Sequence, residues 1–295
     1  MSHFSSNLIT AIGLTTLAMI AFAANSVFNR LALATGSIDP GSFTVIRLVA
    51  GAIMLGILVR GIGTPPRDSW FDWRDWAPAL YLFTYAVTFS YAYLTLTTGT
   101  GALILFGAVQ ITLLLATLAS GNRLQPNEWL GLAVSFGGLV YLNLPGVDAP
   151  PASGLLLMLV AGIAWGFYTI SGRGSDTPLD DTARNFCRSL PLALLLGIFV
   201  WWERSLSAAG VLYAVLSGAI ASGVGYAIWY SALRLISTTQ AAVVQLSVPL
   251  IAAWAGAVLL SEAITLRLAV ASALILGGIL LVFVGKSWFR RPEQK

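Results

Sequence analysis

Two stretches of this chain repeat each other in a way that leaves little choice of topology. Phe43–Val59 (FTVIRLVAGAIMLGILV) lies against Arg184–Val200 (RNFCRSLPLALLLGIFV), so that Arg47 meets Arg188 and LGILV meets LGIFV. At nearly the same offset, about 140 residues, Gly137-Gly138 meets Gly277-Gly278. Each copy contains five apolar runs. An odd number of spans makes the second copy enter the membrane from the opposite side. Inverted repeats of this kind build secondary transporters, which bind a small molecule near midplane at the repeat interface.

Composition supports a membrane setting. Of 295 residues, 57% are hydrophobic and 9% charged, whereas a soluble domain carries about 25% charged residues. The pI near 9.4 reflects loop Lys and Arg, which answer to topology and to anionic lipid, and nothing resembles a nucleic-acid surface. The single cysteine, Cys187, lies in an apolar stretch. It makes no disulfide framework and reads as a small buried hydrophobe. The N-terminal MSHFSSN lacks the Lys or Arg of a signal peptide, and the apolar run from Leu8 continues to Phe28, so it is expected to stay as the first helix.

The expected fold is all-α, with ten transmembrane helices forming two inverted five-helix repeats around a central cavity. The spans are expected near 8–29, 41–59, 76–96, 101–119, 128–144, 154–172, 183–202, 209–232, 239–260 and 266–285. Residues 1–146 form the first repeat, 147–153 a connector, and 154–295 the second repeat with a short tail. If the N-terminus is cytoplasmic, eleven Lys and Arg fall in cytoplasmic connections: Arg60, Arg67, Arg74, Arg123, Arg173, Arg184, Arg234, Lys286, Arg290, Arg291 and Lys295. Three, Arg30, Arg204 and Arg267, fall outside. That bias puts both termini in the cytoplasm. SWFDWRDW (69–76) reads as an interfacial aromatic anchor.

The five-plus-five arrangement, an Arg near the start of spans two and seven, and LSEAIT (260–265) after span nine resemble the drug/metabolite transporter superfamily, EamA type. Within it the chain is similar to the YddG group of bacterial aromatic amino acid exporters. The resemblance covers nearly the whole chain. It implies a basket of ten helices around a central cavity, spans five and ten at the periphery, and export of aromatic amino acids across the bacterial inner membrane. Where family members often end span four with Gly-Glu, this chain has Gly121-Asn122.

Span three carries the clearest local signal. At about 100° per residue, Tyr81, Thr84, Tyr85, Thr88 and Tyr91 fall within an arc of roughly 120°, with Leu82, Phe83, Ala86 and Val87 opposite. Such a face suits a wet cavity, although Thr hydroxyls bonded to their own backbone would equally explain it. In span eight, Ser222, Tyr226, Trp229 and Tyr230 cluster at helical spacing, with Tyr230 close enough to the cytoplasmic end to serve as an anchor. Asn25 of span one and Trp165 of span six are counterparts at an offset of 140, as are Phe28 and Tyr168. The Asn25 amide needs a partner, either another helix or a ligand. Trp165 and Tyr168 offer flat surfaces, each stacking contact being worth roughly 0.5–1.5 kcal/mol.

Gln110 and Gln245 sit in spans four and nine, as ligand contacts or interhelical glue. Pro249 in span nine, and Gly107 in span four, are the expected points of bending for gating. Arg47 and Arg188 tempt as carboxylate binders, but each lies about six residues inside its helix start, roughly 9 Å of rise. They are therefore expected to snorkel and to be structural.

No Asp or Glu falls in the middle of a span, Glu128 and Glu262 lie at helix ends, and the one His is His3. Proton coupling lacks its usual carrier, so facilitated diffusion or exchange is expected. An intramembrane hydrolase would need a Ser–His pair, two Asp or a metal cluster, so no catalytic residue, metal or cofactor is assigned. A sugar-phosphate carrier would need cavity Lys or Arg pairs, and a cationic-drug pump a midspan carboxylate. The chain is thus read as a carrier of neutral amphiphilic metabolites, aromatic amino acids first, with membrane lipid around it and no obligate protein partner.

Overall fold

Among the described residues the apolar runs fold as ten helices. The structure, a computed structural model, describes residues 2–61, 76–121, 126–142, 144, 149–172, 175–202, 205–236 and 244–288. The first half supplies α1 (Ser2–Ala34), α2 (Pro40–Gly61), α3 (Trp76–Ala92), α4 (Thr98–Ala119) and α5 (Pro126–Leu142). The second supplies α6 (Ala152–Ser171), α7 (Pro178–Phe199), α8 (Ala208–Leu233), α9 (Ser247–Leu260) and α10 (Leu266–Trp288). The loop charges Arg67, Arg74, Arg123, Arg173, Arg204, Arg290, Arg291 and Lys295 lie outside the described residues, as do the tryptophan anchor up to 75 and the start of span nine at 239–243.

Helix ends differ from the expected spans where polar signals take over. The first span is longer, with α1 running to Ala34. Helix α7 starts at Pro178 with Asp180 and Asp181 in its first turn, where carboxylates favour a helix N-terminus, and Arg184 pairs with Asp180 at 2.8 Å. Five helices are long and apolar enough to cross a membrane alone (α1, α2, α4, α6 and α8). Helices α3 and α5 have 17 residues each.

The packing follows the repeat. Helix α1 lies against α8 and α9, while its counterpart α6 lies against α3 and α4. Helices α2 and α7 pack on each other, as do α4 and α9, and α5 and α10. Each of these last three pairs joins a helix to its own counterpart, the pattern a two-fold axis between the halves produces. Helices α5 and α10 contact mainly each other and α4, which places them at the edge of the bundle. Large apolar side chains such as Phe136, Leu156, Ile198 and Trp254 are exposed around the bundle, where lipid is their solvent.

Lipid tails give apolar helices no hydrophobic reason to associate, so close backbone approach has to do much of the holding. The second repeat signal lies at such an approach. A Cβ at Gly138 would stand 2.7 Å from Leu274 Cβ, and one at Gly278 would stand 2.5 Å from Ser135 Oγ and 2.6 Å from the Gly131 carbonyl oxygen. Ser135 Oγ donates to the Ile275 carbonyl at 3.1 Å. The neighbouring Gly137 and Gly277 face open space.

Three interruptions of regular helix fall in the second half. Pro191 stands inside α7. Residues Leu216–Val224 of α8 form a π-helix. Before α9, residues 244–245 are helical and Leu246 is a turn. Pro249, four residues after Gln245, has no N–H to return to that carbonyl. Helix α4 carries no proline, and those of α2 and α3, Pro40 and Pro78, lie in the first turn.

Candidate functional site

The π segment explains how α8 meets α1. Ser217 and Ser222 are five residues apart, about 140° around an α-helix, and would point to different neighbours. Bonding i to i+5 widens the turn and brings both to one face. Both hydroxyls donate to Asn25 Oδ1, at 2.8 and 3.3 Å, and all three residues are buried. The Asn25 carbonyl oxygen also accepts from Asn29 Nδ2 at 2.8 Å. Of the two partners expected for Asn25, its side-chain oxygen takes another helix. Beside this contact, a Cβ at Gly218 would overlap the Arg47 carbonyl oxygen, so only glycine lets α2 and α8 approach so closely.

Around the middle of the bundle the rings form a continuous cluster. The Trp165 ring centroid lies 4.7 Å from that of Tyr85, 5.2 Å from Tyr168 and 5.6 Å from Tyr226, the last nearly parallel at 18°. Tyr226 continues to Phe22 at 5.7 Å and Tyr230 at 6.5 Å, and Phe22 meets Trp229 at 5.8 Å. Helices α1, α3, α6 and α8 all contribute, so both halves build it. Tyr230 is tied in by its hydroxyl, 3.0 Å from that of Thr182, and does not stand alone as an anchor.

Other expected site residues lie elsewhere. On α3 it is Leu82, Ala86, Phe89 and Ser90 that are buried with Tyr85, whereas Tyr81, Thr84, Thr88 and Tyr91 are half-buried. The expected inward face is therefore rotated. Thr88 Oγ1 donates to the Thr84 carbonyl at 2.8 Å and needs no wet cavity. Tyr81 stacks at 5.5 Å on Phe167, itself 43% exposed, in the seam between α3 and α6. Ala108 and Thr112 meet Gly162 and Gly166 of α6, and Gly107 faces Ile275 of α10. Gln110, one turn beyond Gly107, shares that face and is half-buried. Gln245, also half-buried, stands at the break before α9, and Pro249 is buried in the first turn of that helix. Cys187, expected to be buried, is half-buried.

The arginines correct the sequence reading. Arg47 is 2% exposed and Arg188 is 7% exposed, so neither snorkels to the interface. Arg47 Nη2 donates to the Tyr85 hydroxyl at 3.0 Å, and its guanidinium carbon lies 5.1 Å from the Tyr85 ring centroid and 5.2 Å from that of Phe89. A rise of 9 Å is within an arginine's reach in isolation, but α3 and α8 close over this one.

A second polar cluster closes the other ends of α1, α4 and α9. Arg30 Nε pairs with Glu262 Oε1 at 3.0 Å, and Arg30 Nη1 donates to the Tyr93 carbonyl at 2.9 Å. Glu262 Oε2 accepts from the Thr98 N–H at 2.7 Å, at the N-terminus of α4. Sequence reasoning missed this pairing, as it missed Phe22 and Ser217. Among the described residues no group of three or more His, Cys, Asp or Glu is placed to hold a metal.

Among the described residues, ten helices in two interlocked halves, with a ring cluster at the centre and a polar cluster across one end, form an integral membrane bundle of the kind that carriers use. The chain belongs to the EamA-like transporter family, whose profile matches residues 9–144 and again 152–284. It is 52% identical over 272 residues to the uncharacterized protein PA1977 of Pseudomonas aeruginosa, covering 91% of this chain and 93% of that one. It is 27% identical to an uncharacterized transporter of Archaeoglobus fulgidus, covering 81% of this chain and 86% of that one. A solved crystal structure superposes with a TM-score of 0.62 over 90% of this chain and 98% of that chain, at 20% identity. That likeness concerns the fold.

Proposed function

We propose that this transporter exports aromatic amino acids and similar neutral amphiphilic metabolites by alternating access, without ion coupling. The observation that carries the reading is the Tyr85–Trp165–Tyr226 ring cluster, built by helices of both halves. A flat solute seated among these rings gains roughly 0.5–1.5 kcal/mol per stacking contact. It also lies where relative movement of the halves would open it to one side or the other. Tyr168 and Trp229 extend the same lining. Gln245, at the break before α9, would meet a solute on its passage, and Gly107 and the Pro249 break would provide bending. The membrane is the bacterial inner membrane, with both termini cytoplasmic, a placement supported by the basic loop residues.

Purified protein in proteoliposomes loaded with tryptophan tests this. Tryptophan is expected to leave down its gradient, and to exchange with external radiolabelled tryptophan, when no pH difference is imposed. Flux that requires an imposed pH gradient rejects the uncoupled mechanism. Absence of tryptophan flux in vesicles that do exchange another amino acid rejects the aromatic preference.

A further inference from the structure

The Arg47 guanidinium is a buried cation with part of its hydrogen-bonding capacity unused. It is 2% exposed, and Nη1 is sealed from water without a hydrogen-bond partner. Among the described residues its one side-chain hydrogen bond is from Nη2 to the Tyr85 hydroxyl, at 3.0 Å, and no carboxylate lies within 4.0 Å. The rings of Tyr85 and Phe89, at 5.1 and 5.2 Å, offset part of the cost of burying the charge but accept none of its remaining protons. An arginine inside a membrane bundle without a counter-ion marks a place where a ligand supplies one.

We infer that Arg47 binds the carboxylate of the transported solute. This rests on the carrier proposed above and deepens it, by making the ligand a carboxylate with an apolar body rather than any neutral amphiphile. A guanidinium is suited to two parallel bonds to a carboxylate, and Nη1 provides a free donor for one. The Tyr85 hydroxyl, which accepts from Nη2, keeps its own proton to donate to the second oxygen. Tyr85 also stacks against Trp165 at 4.7 Å, so the charge recognition and the ring surface are adjacent on one side chain. Because Nη1 is covered, the solute reaches it by parting the surrounding side chains.

Thermal unfolding of the detergent-purified transporter with paired ligands tests this. The pairs are L-tryptophan with L-tryptophanamide and L-leucine with L-leucinamide. Each amide keeps the ammonium and the side chain and loses the negative charge. In the wild type the acid is expected to stabilise at concentrations about tenfold lower than its amide. In Arg47→Gln that preference is expected to vanish. Arg47→Lys, which keeps the charge without the fork, is expected to retain part of it and decides the matter if the Gln variant does not fold. An unaltered preference in the substituted protein, equal response to acid and amide in the wild type, or no response to any ligand would overturn the inference. A response to leucine over leucinamide that depends on Arg47, with none to tryptophan, would support the arginine's role and reject the aromatic preference.

Discussion

Arg30 Nε lies 3.0 Å from Glu262 Oε1, joining two residues 232 positions apart across the two halves of the chain. Both side chains are largely buried, at 18% and 11% exposure, and the second carboxylate oxygen accepts the Thr98 N–H. The pair therefore bonds α1 to the start of α4 through the segment after α9. Glu262→Gln is expected to lower the unfolding midpoint by a few degrees, and a double-mutant cycle with Arg30→Gln to give a coupling of about 1–2 kcal/mol. Exchanging the two residues should restore stability only in part, since arginine at 262 cannot accept from Thr98. Full restoration in melting curves would contradict the description.

At the α5–α10 crossing four glycines divide into two that touch and two that do not. Gly278→Ala is expected to destabilise by about 1–3 kcal/mol, because a Cβ there would meet the Gly131 carbonyl oxygen, and backbone cannot yield cheaply. Gly138→Ala should cost a similar amount, because a Cβ there would meet Leu274 Cβ and the Ile275 nitrogen, which move only with their backbone. Gly137→Ala and Gly277→Ala, which face open space, are expected to be neutral or slightly stabilising. Thermal melts of the four variants in one detergent provide the check.

The π segment makes a prediction about order. Ser217→Ala removes the shorter of the two bonds to Asn25 and should destabilise by about 1 kcal/mol, more than Ser222→Ala. The double variant should exceed the sum of the two, because it leaves the buried Asn25 oxygen without either α8 donor. Additive losses in unfolding measurements would mean that the oxygen finds another partner.

Trp165 has rings of Tyr85, Tyr168 and Tyr226 around it. Trp165→Ala is expected to weaken tryptophan exchange about tenfold in proteoliposomes while the protein remains folded, and Trp165→Phe less so. Unchanged exchange in both would separate the ring cluster from transport.

The duplication was legible because the matched segments became paired helices: Phe43–Val59 lies in α2 and Arg184–Val200, all but its last residue, in α7, and the two helices pack on each other. The Gly137-Gly138 and Gly277-Gly278 signal likewise marks a real crossing. Tyr85 and Tyr226 were found by helical spacing, and Trp165 and Tyr168 by the repeat offset, and the four come together. Ser217 was missed because a constant 100° per residue turns it away from Ser222. Arg47 was misjudged because distance to the helix end says nothing about which neighbours cover it. Thr88 is bonded to its own backbone and Tyr81 is stacked on Phe167 in the seam with α6, which helical spacing alone does not reveal. Arg30 and Glu262 carry no local pattern that would pair them.

The proline in α7, the widened turns of α8 and the break before α9 all belong to the same copy of the duplicated unit. A bundle made of two equal copies could expose its interior to either side by letting the copies trade shapes. Among the described residues, this one has joints in one copy where the other has unbroken helices. In the alternating access proposed above, the inward-open and outward-open forms are therefore not mirror images of each other, despite the shared ancestry of the parts.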